Sequence, residues 1–382
     1  SLSADGSIVA IGAIFNNGNG YDSGHVRVYQ RDSNSENNTD DTSDNFGPIG
    51  WRRLGGDIDG ELGSDYSSDY SGWSVSLSAD GYIVAIGANL NSGNGTYSGH
   101  VRVYKYDGTN WGIIGGDIDG EATGDQSGYS VSLSADGSIV AIGAKYNDGN
   151  EPNSNRGHVR VYNFTNGAWI QRGDDIDGEA ASDHSGYSVS LSADGSIVAI
   201  GAIFNNGNGY DSGHVRVYQR DSNSENNTND TSDHFGPIGW RRLGGDIDGE
   251  AAGDNSGGSV SLSADGTIVA IGAILNSGNG TKSGHVRVYK YDSASWGIMG
   301  GDIDGEAADD RSGYSVSLSA DGSIVAIGAY YNDGNGTYSG HVRVYKYDGT
   351  NWGIIGGDID GEATGDQSGY SVSLSADGSI VA

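Results

Sequence analysis

Short runs of alternating apolar and polar residues, cut by Asp-Gly and glycine-rich turns, make up this chain from end to end. Around residue 320, SVSLS alternates, Ala320-Asp321-Gly322 turns, and SIVAIGA follows. Asp-Gly between two such runs is a strong hairpin signal. Ile324, Val325, Ala326 and Ile327 are apolar on both faces, as a strand packed between neighbouring sheets should be. The loop NDGNGTYSG leads to HVRVYKY, where Val342 and Val344 share one face and His341, Arg343 and Tyr345 the other. A turn at Asp348-Gly349-Thr350-Asn351 delivers Trp352, and the acidic loop GGDIDGEATGDQSG leads into the next SVSLS. No stretch has a helical period of useful length. The pattern predicts a four-stranded antiparallel meander.

The unit recurs. SLSADG begins at Ser1, Ser76, Ser132, Ser190, Ser261, Ser317 and Ser373, giving steps of 75, 56, 58, 71, 56 and 56 residues. Such a period marks a propeller, solenoid or array. The expected architecture is all-β: one β-propeller domain over residues 1–382, with six four-stranded antiparallel blades and a partial repeat at 373–382. A seven-bladed ring and an open superhelical array are the alternatives, and the chain reads as part of a longer repeat protein. Residues 93–141 recur as 334–382 without a difference, and residues 1–61 recur as 190–250 except at Asp40 and Asn45. A catalytic site needs one asymmetric constellation, so this sameness argues against an enzyme. Two polar insertions, Gln30–Arg53 and its twin Gln219–Arg242, are expected to be long loops between the third and fourth strands.

The spaced motif D-x-S-G-Y-S-V-S-L-S-A-D-G-S-I-V-A-I-G-A, then S-G-H-V-R-V-Y, then N-W, resembles the FG-GAP repeats of integrin α-subunit propellers and their microbial relatives. Ser-Gly-Tyr-Ser-Val at 312–316 stands where that family has Phe-Gly-x-Ser-Val, and Ile-Gly-Ala at 327–329 where it has Val-Gly-Ala. The resemblance implies an extracellular or cell-surface propeller serving adhesion or scaffolding. It also marks a departure. Calcium-binding family members use several carboxylates in the turn between the first two strands, whereas that turn here holds one: Asp80, Asp136, Asp194, Asp265 or Asp321. The family's calcium site is therefore not carried over.

Composition narrows the functional classes. Twenty basic against 51 acidic residues give a net charge of −31, which repels nucleic acid and anionic membranes. There is no cysteine for a disulfide or thiolate site and no apolar run long enough to span a bilayer. The acidic D-I-D-G-E loops are the candidate cation sites, with calcium as the expected ion. They hold Asp57, Asp59 and Glu61; Asp117, Asp119 and Glu121; Asp175, Asp177 and Glu179; Asp246, Asp248 and Glu250; Asp302, Asp304 and Glu306; and Asp358, Asp360 and Glu362. An Asp four residues after the Glu, such as Asp125, adds a fourth oxygen ligand. Calcium wants six to eight such ligands, and the competing reading is a solvated acidic turn.

One His per unit (His25, His100, His158, His214, His285, His341) reads as a packed strand residue, and the Arg two positions on as a partner for the acidic loops. Trp51, Trp111, Trp169, Trp240, Trp296 and Trp352 stand at one register and read as sheet-to-sheet packing, with a ring of sugar-stacking tryptophans exposed on one face as the alternative; Trp73 is extra. Asn94, Asn279 and Asn335 share an N-G-T position that makes them candidates for N-glycosylation, with Asn37, Asn163, Asn226 and Asn229 as weaker sequons. No hydrolase, zinc or phosphate-loop motif appears.

The function expected from the sequence is a non-catalytic extracellular structural or adhesive propeller. The alternative is a module that recognises a glycan or protein on its loop-rich face. Ser1–Ala10 and Ser373–Ala382 have the same sequence, so in a six-unit ring they would compete for one slot. The displaced hairpin would then support head-to-tail self-association or contact with neighbouring repeats.

Overall fold

The polar atoms of the Ser-Ala-Asp-Gly phrase show why each copy turns a hairpin. In the second blade Ser78 Oγ donates to Asp80 Oδ1 at 2.6 Å and accepts from the Ile83 amide at 2.9 Å, while Asp80 accepts the Tyr82 amide at 3.0 Å. Gly81 has a φ of 73°, and a Cβ there would lie 2.7 Å from Ile8 of the neighbouring blade. Conformation and space both require glycine.

The computed structural model describes residues 1–32, 50–61, 68–149, 151–221 and 236–382. All regular elements in these residues are β-strands, arranged as six antiparallel sheets. In the second blade Ser74–Leu77 pairs with Ile83–Ala88, which pairs with His100–Tyr106. The outer edge of that third strand is shared. Trp111–Ile113 pairs with its far end, and a two-residue strand, Ile118–Asp119, pairs with its near end. The four-strand meander is thus as expected, with a short fifth strand added. Two residues carry no period, so the pattern of the sequence could not announce it. Its register sets His100 opposite Asp119, which draws each acidic loop onto its histidine strand.

The blades close into a ring around a central channel. At the turn end of the inner strands Ala4, Ala79, Ala135, Ala193, Ala264, Ala320 and Ala376 each donate an amide to the carbonyl of the next, and Ala376 returns to Ala4 at 2.7 Å. A second circle of bonds runs from leucine amide to serine hydroxyl, including Leu374 to Ser317 at 3.0 Å and Leu2 to Ser373 at 2.9 Å. The propeller therefore has six blades, and the hairpin of residues 373–382 takes a seventh position between the sixth and the first. This corrects the expectation of competing ends. Each hairpin contacts one neighbour on either side, and seven hairpins complete the circle without displacing any.

The core lies between blades. Ala10, Val26 and Val28 pack on Leu77, Val84 and Ile86 of the next blade, and equivalent clusters fill the following junctions. Burying one such Val or Ile contributes roughly 1.5–3 kcal/mol, which a lone blade could not obtain. The insertion loops with Asn37, Asn226 and Asn229 lie outside the described residues.

Candidate functional site

The acidic loops are built into the blade junctions. In five blades the first Asp of the loop accepts both arms of the arginine on its own third strand. Arg102 donates to Asp117 at 2.8 and 3.0 Å, Arg287 to Asp302 at 2.7 and 2.9 Å, and Arg343 to Asp358 at 2.8 and 2.9 Å. Arg27 with Asp57 and Arg216 with Asp246 do the same. The Glu reaches forward to the arginine of the next blade, joining Glu61 to Arg102, Glu179 to Arg216, Glu250 to Arg287 and Glu306 to Arg343. The arginine lowers carboxylates such as Asp117 and Asp302 from their ordinary range.

The second Asp of each loop (Asp59, Asp119, Asp177, Asp248, Asp304, Asp360) lies in the short fifth strand, opposite the histidine. Asp125 is drawn elsewhere: its Oδ2 accepts from Asn147 Nδ2 and from the Ala122 amide, each at 3.0 Å. Glu362 is exposed. Asp57 and Asp59 of the first loop gather at His25 of their own blade, while at the other junctions convergence also occurs across blades. There a Glu from one blade and a His and Asp from the next bring ligand atoms within 4.8 Å of one another. Burial keeps these histidines neutral at neutral pH, lowering His100 to about 4 and His158 to about 3.

Other repeated residues serve the same frame. The Trp111, Trp169, Trp240, Trp296 and Trp352 indoles donate to carbonyls of the preceding blade, at 2.6 to 3.1 Å. Asn94, Asn279 and Asn335 donate to the carbonyls of Gly120, Gly305 and Gly361 at 2.8 to 2.9 Å, clasping the acidic loop. Asn19 and Asn208, at the same register without a sequon, donate to Gly60 and Gly249. The shared register of the sequons thus has a structural cause. Asn163 is bonded to Thr165 on the surface.

A different set of residues stands at the other end of the channel, where the inner strands begin. The position after each Ser-Gly is Trp73, Tyr129, Tyr187, Gly258, Tyr314 and Tyr370 in successive blades, and these line a cavity of about 810 Å³. They form two arcs. Tyr129 lies 5.3 Å from Trp73 and 5.1 Å from Tyr187, and Tyr314 lies 4.9 Å from Tyr370 and 4.2 Å from Tyr330. Gly258 with Ile274 leaves a gap between the arcs.

Cations stand behind the rings. Lys145 Nζ lies 3.5 Å from the centre of Tyr129 and 5.3 Å from Tyr187, and burial lowers its pKa to about 8. Arg311 donates to Tyr330 Oη at 2.8 Å and lies 4.5 Å from the Tyr331 ring. His184 sits edge-on between Tyr146 and Phe204, and burial together with Lys145 lowers it to about 4. Sequence reasoning missed this mouth. The available signal was that these columns differ between otherwise near-verbatim repeats.

A family model described as FG-GAP repeat matches residues 303–345, from the fifth strand of the fifth blade through the third strand of the sixth. The chain is a six-bladed β-propeller that carries an FG-GAP repeat. No curated protein matches its sequence. The propeller is similar in structure to a hydrazine synthase of Kuenenia stuttgartiensis, with a TM-score of 0.55 and 12% identity over 100% of this chain and 90% of that one. It is also similar to a 6-phosphogluconolactonase-like protein of Bacteroides uniformis, with a TM-score of 0.57 and 9% identity over 98% and 87% of the two chains. A periplasmic gluconolactonase of Pseudomonas aeruginosa gives 0.57 and 15% over 94% and 83%. At these identities the likeness shows the propeller fold alone. No helix of the described FG-GAP chain is long and apolar enough to cross a membrane.

Proposed function

We propose that this FG-GAP propeller is a non-catalytic extracellular recognition and adhesion module that holds a glycan at the aromatic mouth of its channel. One observation carries this reading. In a chain whose blades are nearly interchangeable, one register changes from Tyr129, Tyr187, Tyr314 and Tyr370 to Trp73 and Gly258, and these residues line one cavity. Aromatic faces stack on the apolar faces of sugar rings, lose little conformational entropy, and offer hydroxyls for orientation. Lys145 and Arg311 add positive charge beside those faces in a strongly acidic molecule. Calorimetry against neutral and acidic oligosaccharides is the test. A binder should emerge whose affinity falls at least tenfold in Tyr187→Ala/Tyr314→Ala, and the absence of a binder, or equal binding by the variant, overturns the reading.

A purely structural unit in an array of propellers is the second reading, supported by the uniformity of the junctions. Light scattering at high concentration separates the two, since a monodisperse monomer leaves the array reading without support.

A further inference from the structure

We propose that the junction between the second and third blades is a divalent transition-metal site, with His158 Nδ1, Glu121 and Asp175 as ligands and Asp177 in reach. This site is independent of the recognition reading. The argument starts from what the other junctions do with their carboxylates. In four of them one arginine grips the Asp of its own blade and the Glu of the blade before, filling the place a cation would take. At the junction of the third blade the arginine is turned away. Arg160 Nη2 donates to the Asp119 carbonyl at 2.8 Å, and Nη1 stays 3.5 Å from Glu121. Asp175 accepts instead from Gln171 at 2.7 Å, through its Oδ1. Its Oδ2 faces the histidine.

His158 supplies the second, independent observation. It is 1% exposed, and neither ring nitrogen has a hydrogen-bond partner. Its Nδ1 faces Glu121 Oε2 at 3.9 Å, Asp175 Oδ2 at 3.8 Å and Asp177 Oδ1 at 4.0 Å. No other junction histidine has three carboxylates within 4.0 Å among the described residues. No group bonds the Nδ1 that faces these carboxylates, and a cation held between them would satisfy the nitrogen and the oxygens together. Ligands about 2.0–2.2 Å from a metal stand roughly 3.3–3.6 Å apart, so the histidine–carboxylate distances need to contract by only a few tenths of an ångström.

Charge points the same way. Glu121, Asp175 and Asp177 oppose Arg160, with Arg156 acting on Asp177 from the neighbouring loop. One imidazole among carboxylates favours zinc, manganese or cobalt over the all-oxygen preference of calcium and magnesium.

The test is titration of chelator-treated full-length protein with Co²⁺ at pH 7, followed by visible absorption and by metal analysis after gel filtration. One cobalt per chain is expected, with affinity at least tenfold lower in Asp175→Asn and in His158→Asn. Asp175 is partly exposed, so its variant keeps the test valid if the buried histidine variant does not fold. Failure to retain cobalt, or retention that Asp175→Asn leaves unchanged, overturns the site. Uptake of several equivalents with no loss in Asp175→Asn does the same.

Discussion

The blade junctions and the channel mouth are made by the same repeats, yet they differ in what the repeats keep. At the junctions each blade offers the same His, Arg, Asp and Glu, and bonds such as Arg287 to Asp302 and Arg343 to Asp358 agree to within 0.1 Å. At the mouth the corresponding residues are Trp73, Gly258 and the four tyrosines Tyr129, Tyr187, Tyr314 and Tyr370. Repetition serves a ring in which every interface must carry an equal share of the stability. Recognition needs an asymmetric surface, and the mouth is where this chain has one. The contrast predicts that frame variants act on stability and mouth variants on binding.

The largest effect should come from a close approach between blades. A Cβ on Gly143 would lie 2.2 Å from the Gly186 carbonyl oxygen and 2.3 Å from Ser130 Oγ. Gly143→Ala is therefore expected to cost about 3 kcal/mol in denaturant unfolding. Ligand affinity of the molecules that remain folded should be unchanged; a loss of affinity without a loss of stability would break the comparison.

Next come the arginines. Arg287→Met strands Glu250 and Asp302 and should cost about 1–2 kcal/mol, the partial exposure of both acids reducing what a buried pair would lose. Arg160→Met removes one carbonyl bond and a 3.5 Å contact, so its cost should be smaller. Equal costs would deny that the third junction is different.

The pH dependence follows from the histidines. Burial lowers His158 to about 3 and His100 to about 4 in the folded chain, below the ordinary 6.5. The unfolded chain then binds more protons in this window, so these groups contribute their full stability above pH 6.5 and lose it as pH falls toward 4. Glu121, with its carboxyl raised, pulls the other way, so the readout is the variant comparison. Melting of His158→Asn, measured in the absence of metal, should depend less steeply on pH than melting of the parent protein.

The smallest effect concerns the asparagine clasps. Asn279→Ala, within a sequon, and Asn208→Ala, outside one, should each cost about 1 kcal/mol, since each loses a bond to the next acidic loop. A much larger effect at Asn279 alone would mean that the sequon serves more than the clasp. Glycosylation at Asn94, Asn279 and Asn335 is checked by intact mass of secreted protein.

Much of the fold was legible because its signals are local. Alternation, Asp-Gly turns and the period of SLSADG mark the strands and blades, and the single carboxylate at Asp80 or Asp136 is indeed part of a turn. What could not be read depends on distance in space. Glu61 and Arg102 are 41 residues apart, and nothing in one repeat says that its Glu serves the next. The seventh position taken by residues 373–382 depends on the angle between sheets, which no residue pattern states. Trp73 stood out as an extra tryptophan, but that it lines one cavity with Tyr129, Tyr187 and Tyr314 appears only when the inner strands face one channel.

The most direct measurement sets the two regions side by side in one experiment: glycan affinity and melting temperature for Tyr314→Ala and Arg343→Met. Tyr314→Ala should lose binding at least tenfold while its melting stays close to that of the parent protein. Arg343→Met should melt earlier with its affinity unchanged. The opposite assignment, or affinity that neither variant alters, would contradict the placement of recognition at the channel mouth.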